Sequence, residues 1–235
     1  INTFENVNEK FPSLLSKICK EYGVKQFIHL SSLGIDESSA DSYYAKSKLN
    51  GESQIRKNFN EATILRPSVV YSVDDDFTCK FMSLLNKIPF VFPIYYRGKT
   101  LFRPIHVSDL AEIIFQIILQ DIKSETIECV GIEEISLKNI LQRLLILTGK
   151  KKLLLPIPLL IAKVIAGFFE FAPKPIFTVD QLRLLKFNNI PSGRFKTNFD
   201  IGLPSVKNFD TEVKKYSWMY SDGGQFSQEK YNKNN

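Results

Sequence analysis

The chain has 235 residues, 44% of them hydrophobic and 24% charged, enough to bury the core of one large domain or of one domain with a small lobe. Its net charge is +6, but the lysines are scattered and no basic stripe is interleaved with aromatics, which argues against nucleic-acid binding and leaves contact with an anionic membrane surface open. Two histidines and three widely spaced cysteines (Cys19, Cys79, Cys129) exclude a zinc spacing, a disulfide framework and a His-based triad, so no metal site is expected and a reducing compartment fits.

In chain order, Phe11, Leu14, Leu15, Ile18 and Tyr22 recur at helical spacing, and Gly23 stops a helix over 4–22. A strand over 25–30 follows, ending FIHLSS, and then a helix over 43–58. Ala62 to Pro67 is a short apolar run broken by its proline, hence a strand entering a loop. A helix is predicted at about 77–87, a strand at about 101–106, and a helix over 109–119 with Asp109 and Glu112 as a capping box. ETIECVG reads as a strand ending at Gly131, and Ser136 to Gly149 as a helix between a serine cap and a glycine stop. Cys19 and Cys129 fall on apolar positions and read as core, and His29 and His106 as structural. Strands alternating with helices imply βαβ units and a mainly parallel sheet.

Residues 153–173 are the most apolar stretch, but Pro156 and Pro158 cut its start. A helix of roughly 159–171 carrying Lys163 and Glu170 remains, short of the ~20 apolar residues that a membrane span needs. It reads as a helix buried in a small lobe, with an interfacial or docking helix second. The tail beyond 220 is polar and reads as disordered.

The chemistry concentrates where the sheet's strands end, since ligands of open α/β sheets bind beyond the carboxyl ends. Ser31 and Ser32 close one strand and Pro67 and Ser68 another, while YAKSK puts Tyr44 and Lys48 four residues apart on one helical face. A serine facing a Tyr–Lys pair suits proton transfer at a carbonyl or alcohol: Lys48 as a cation would favour the phenolate of Tyr44, and Ser32 would hold the substrate oxygen. YxxxK alone is weak evidence, because an exposed helix start with solvated lysines gives the same pattern.

HLSS at 29–32, YAKSK at 44–48, ILRPSVVYS at 64–72 and RPIHVSDLA at 103–111, in that order, resemble the extended and atypical short-chain dehydrogenase/reductase superfamily, also called NAD-dependent epimerases/dehydratases. The resemblance covers about residues 1–131. It implies a Rossmann-like parallel sheet whose C-terminal part is 1–131, followed by a smaller, mostly helical lobe at 132–220. It also implies Ser32, Tyr44 and Lys48 as catalytic positions. Ser31, Tyr44, Lys48, Pro67, Ser68 and Val70 become cofactor-binding positions for NAD(P), with a lean towards NADPH. The C-terminal third, with Thr178-Val179-Asp180-Gln181, Leu184-Leu185, Asn188-Asn189 and the late KKYSWMY, is similar to the NAD(P)-binding accessory subunit family of respiratory complex I.

That similarity implies an accessory or assembly subunit of NADH:quinone oxidoreductase with little or no turnover. It would be cytoplasmic or peripheral on the inner membrane, on the matrix side in a eukaryote, without a transmembrane span. The alternative is a free-standing epimerase, dehydratase or reductase acting on a nucleotide sugar or similar alcohol through Ser32, Tyr44 and Lys48. Two departures from the pattern stand out. The glycine-rich pyrophosphate turn is absent, so roughly 90 residues of sheet are expected upstream. Ser72 follows Tyr71 where glycine is usual, so that loop is expected to differ.

Overall fold

The computed structural model describes residues 3–158 and 178–224. Short helical turns at Thr3–Glu5 and Asn6–Lys10 run into helix α1 (Phe11–Glu21). Strand β1 (Ile28–Leu30), helix α2 (Tyr43–Asn58) and strand β2 (Thr63–Pro67) then form a βαβ unit, because β1 and β2 pair in parallel with Leu30 opposite Leu65. Strand β3 (Val70–Tyr71), helix α3 (Thr78–Lys87) and strands β4 (Val91–Ile94), β5 (Leu101–Phe102) and β6 (Ile105–His106) follow. Helix α4 (Val107–Leu119) leads into strand β7 (Thr126–Cys129), which pairs in parallel with β2.

Strand β8 (Ile135–Ser136), helix α5 (Leu137–Leu147), strand β9 (Leu153–Pro156) and helix α6 (Val179–Leu184) come next. Strand β10 (Lys196–Thr197) and helix α7 (Phe209–Ser217) complete the described elements. The main sheet is fully parallel, in the order β1-β2-β7-β10, with β1 at its edge. It draws its fourth strand from well beyond Gly131. The chain is α/β with a Rossmann-like parallel sheet, as the alternation of elements predicts.

Two clusters hold most of the core. One packs Leu65, Ile105, Leu110, Ile113, Ile117 and Ile127 between the sheet and α4. The larger joins α3 and α5 to α7 through Met82, Leu85, Ile140, Leu144, Phe209 and Val213. Burying a side chain of this size contributes about 1.5–3 kcal/mol.

Two expectations are corrected, the Asp109 cap and the single strand over 101–106, and two further features lie beyond what the pattern offered. The apolar stripe of α1 does not face the core: Phe11 is 62% exposed, Leu14 58% and Tyr22 83%, while Pro12 and Ser16 are buried. The helix docks on α2 by its small and polar side, with Asn8 donating to Ser47 Oγ (3.0 Å) and Asn58 to the Ser13 carbonyl (2.9 Å). Gly51 makes that approach feasible, since a Cβ there would lie 2.0 Å from the Asn8 carbonyl oxygen. Helix α4 begins at Val107 on a His106 cap, and Asp109 is no cap. Its carboxylate instead accepts the Val206 and Lys207 N–H groups at 3.1 and 2.9 Å, a tertiary demand that outweighs the local motif.

The strand at 101–106 is two strands broken at Arg103-Pro104, one antiparallel to β8 and the other parallel to β3. Residues 153–156, expected to open an apolar segment, pair in parallel with β4. The helix expected at 159–171 lies outside the described residues, as does the tail from 225. Among the described residues no helix is long and apolar enough to cross a membrane.

Candidate functional site

Backbone pairing carries β1 past its last residue. Ser31 N–H donates to the Leu65 carbonyl at 2.7 Å and Leu33 N–H to that of Pro67 at 2.9 Å, so both serines stand beside the carboxyl end of β2. The chain turns at Gly34, whose φ of +76° is a conformation that favours glycine. It returns through a helical turn at Ile35–Ser38 to Ser42, which caps α2 by accepting the Ala45 N–H at 3.2 Å. Tyr44 is the second residue of α2, and Lys48 lies one turn on.

This path brings Tyr44 and Ser32 onto the wall of one cavity at the strand ends. Lys48 Nζ lies 6.0 Å from the Tyr44 ring centroid and donates to the Leu30 carbonyl at 3.1 Å. Burial pushes the Tyr44 phenol above its ordinary 10, and the nearby Ser32 hydroxyl only partly offsets this. Lys48 is lowered by burial, against the pull of Glu52. The expectation that Lys48 would lower Tyr44 is therefore corrected: desolvation dominates and disfavours the phenolate. The Ser31 hydroxyl and His29 Nε2 are both buried without a hydrogen-bond partner. Burial, with Lys48 second, holds His29 down at about 4.

Six of the seven predicted site residues line one cavity of about 450 Å³ at the strand ends: Ser31, Ser32, Tyr44, Pro67, Ser68 and Val70. Lys48 is not on its wall, because its amine turns back to β1. A larger groove of about 790 Å³ runs between Ser39–Asn50 and Leu182–Lys186 on the outer side of α2. It touches none of Ser32, Tyr44 or Lys48, so volume alone does not mark the chemistry.

Two further residues, one within the motif at 64–72 and one in the asparagine pair at 188–189, frame the site. Arg66, 4% exposed, spreads its guanidinium over Glu52 of α2 (2.9 and 2.7 Å) and Asp36 of the serine loop (2.6 Å), with Phe195 stacked at 4.7 Å. Asn189 reaches in from the C-terminal segment. Its Oδ1 accepts from Ser68 Oγ (2.6 Å) and Val69 N–H (3.0 Å), and its Nδ2 donates to the Leu33 carbonyl (2.9 Å). The signal for Arg66 was present: a cation inside an apolar strand needs buried partners. Asn189, more than a hundred residues from its partners, had none. The loop at Ser72 takes no positive φ; Asp75 accepts the Ser72 N–H at 3.0 Å and also those of Phe77 and Cys79, so a carboxylate holds the turn where a glycine is usual.

A Ser–Tyr pair at the carboxyl end of a parallel sheet, with a lysine one turn on, suits the ribose and carbonyl of a nicotinamide group. The unpartnered Ser31 hydroxyl on the same wall fits such a ligand. The RmlD substrate binding domain family matches residues 2–137, more than half of the sequence. The chain belongs to that family. It is also similar, at 27% identity over 228 residues, to NADH dehydrogenase [ubiquinone] 1 alpha subcomplex subunit 9 of Mus musculus, covering 93% of this chain and 60% of the mouse protein. The Neurospora crassa NADH-ubiquinone oxidoreductase 40 kDa subunit is 27% identical over 204 residues, covering 86% of this chain and 52% of that protein. The chain thus spans little more than half the length of these relatives.

Among solved structures, dTDP-glucose 4,6-dehydratase DesIV of Streptomyces venezuelae, with NAD and TYD bound, superposes with a TM-score of 0.64 at 15% identity, covering 93% of this chain and 67% of that one. UDP-glucose 4-epimerase of Thermotoga maritima superposes with a TM-score of 0.64 at 14% identity, covering 97% and 71%. These likenesses agree with the Rossmann-like fold.

Proposed function

We propose that this protein is an NAD(P)-holding accessory or assembly subunit of respiratory NADH:quinone oxidoreductase, with little or no turnover of its own. The observation that carries the reading is the similarity to the mouse subunit across 93% of the chain, which takes in the C-terminal segment as well as the Ser–Tyr–Lys half. The site supports a holding role. Tyr44 would offer its hydroxyl to a nucleotide ribose from the cavity wall, Lys48 would join it by turning its amine away from the Leu30 carbonyl, and Ser31, Pro67, Ser68 and Val70 would line the nicotinamide side. Burial disfavours the phenolate of Tyr44, which fits binding better than proton abstraction. NADPH is favoured over NADH. The protein lies in the cytoplasm or against the inner membrane, on the matrix side in a eukaryotic cell.

The second reading, an epimerase, dehydratase or reductase of nucleotide sugars, is favoured by the intact Ser32–Tyr44–Lys48 set. A bound nicotinamide would supply the hydride chemistry, and these residues would hold the substrate oxygen and manage its proton. Replacing Tyr44 by Phe in cells separates the two. Unchanged growth and unchanged oxidoreductase assembly with a correctly folded variant would remove catalysis by Tyr44 as the role. A lost sugar-processing phenotype with normal respiration would remove the subunit reading.

A further inference from the structure

The first turn of α2, which carries Tyr44, is held by a residue more than 130 positions away. Asp180 Oδ1 accepts the Tyr43 N–H at 3.0 Å, and its Oδ2 accepts the Ser42 hydroxyl at 2.7 Å and the Tyr44 N–H at 3.3 Å. Ser42 Oγ in turn accepts the Ala45 N–H at 3.2 Å. The first three N–H groups of α2, which no helical carbonyl can satisfy, therefore end on one relay. A carboxylate at this end is also favoured by the helix dipole. Asp180 itself is fixed in the first turn of α6, behind a capping box between Thr178 and Gln181, and its side chain is 14% exposed.

Ser42 alone already serves as the N-cap. Asp180 adds a fixed relation between the C-terminal segment and the turn that bears Tyr44. Lys48 stands one turn deeper, where helical bonding secures it without Asp180.

We propose that Asp180 is a positioning residue for Tyr44: it sets the first turn of α2 so that Tyr44 stands with Ser32 on the cavity wall. Any role in ligand binding rests on the reading that Tyr44 and Lys48 hold a nucleotide ribose. The geometric part does not.

The test uses the whole 235-residue chain, with tyrosine labelled by carbon-13 at Cζ and its titration followed by NMR. In Asp180→Asn the first turn loosens, Tyr44 moves into water, and its titration shifts down towards the ordinary tyrosine value while Tyr71 stays where it is. Ser42→Ala, which removes one arm of the relay, shifts Tyr44 in the same direction by less, and covers the case in which Asp180→Asn fails to fold. A Tyr44 titration unchanged in a folded Asp180→Asn or Ser42→Ala variant overturns the proposal.

Reduced nicotinamide mononucleotide, which carries the ribose without the adenylate half, is then titrated against the same variants. Asp180→Asn weakens it about tenfold, as for loss of a hydrogen bond to a charged group. The same substitution added to Tyr44→Phe costs nothing more, whereas a merely stabilising residue would give independent losses. No binding to the unaltered chain, with the Tyr44 titration still moved, would discard the nucleotide reading and keep Asp180 in its positioning role.

Discussion

Asn189 Oδ1 accepts the Ser68 hydroxyl at 2.6 Å, so a residue of the C-terminal segment closes the carboxyl end of a strand 121 positions earlier. The same side chain takes the Val69 N–H and gives its own N–H to the Leu33 carbonyl, bridging the two loops that frame the cavity. With Asp180 on the Tyr44 helix, the segment after residue 177 grips both halves of the site. Fold and site are one construction here: the loops that frame the cavity are held by a segment that also lines it.

Replacing Asn189 by Ala leaves the Val69 N–H and the Leu33 carbonyl without the partners seen here and the Ser68 hydroxyl with only the backbone carbonyl of residue 189. A loss of about 2–4 kcal/mol is expected. Asn189→Asp keeps both acceptor contacts but sets an oxygen against the Leu33 carbonyl, so it does no better. Urea unfolding measures both; a loss for Asn189→Ala below about 0.5 kcal/mol would mean that water replaces the clamp.

Arg66 sits between two carboxylates with 4% of its surface exposed. Arg66→Met strands the buried Glu52 and should cost about 3–5 kcal/mol. Glu52→Leu added to it removes the stranded charge and recovers part of that loss. If the double variant is as unstable as the sum of the two singles, the residues do not act as a pair.

His29 makes stability depend on pH. Its value falls from 6.5 in the unfolded chain to about 4 in the fold, so between these values the unfolded state binds more protons. Its contribution is therefore complete above pH 6.5 and is lost as pH falls through 4, with a span on the order of 3 kcal/mol. His29→Asn flattens that limb of the stability curve. An acid limb unchanged in the variant would place the titration elsewhere.

Gly51 has a Cβ-sized space already filled by the Asn8 carbonyl at 2.0 Å. Gly51→Ala must push the Thr3–Lys10 turns off α2, at a cost of about 1–3 kcal/mol. Hydrogen exchange at residues 6–16 should quicken in that variant. Protection equal to that of the unaltered chain would show that the helices do not need the contact.

Much of this was legible in the sequence because it is local. The YxxxK spacing fixes which face Tyr44 and Lys48 share, and Ser136 and the apolar run at 62–67 announce their elements by residue type. Periodicity shows that α1 has an apolar face but not what that face meets. Its docking side is chosen by Asn8, Pro12 and Ser16, small or polar residues that no hydrophobicity pattern weighs. Asp109 looked like a cap because the motif is local, and it was claimed instead by backbone 97 and 98 residues away. The raised Tyr44 was unreadable for a similar reason: the sequence offers a neighbouring cation, whereas burial depends on the packed fold. Asp180 and Asn189 stood out only as part of a resemblance, since their partners are set by topology.

The most direct test of the subunit reading is to tag this protein in its own organism, solubilise membranes gently, and follow it by native gel and mass spectrometry. The account predicts co-migration with NADH:quinone oxidoreductase, and loss of assembled oxidoreductase when the protein is depleted. Migration as a small free species, with the oxidoreductase intact in its absence, would contradict it.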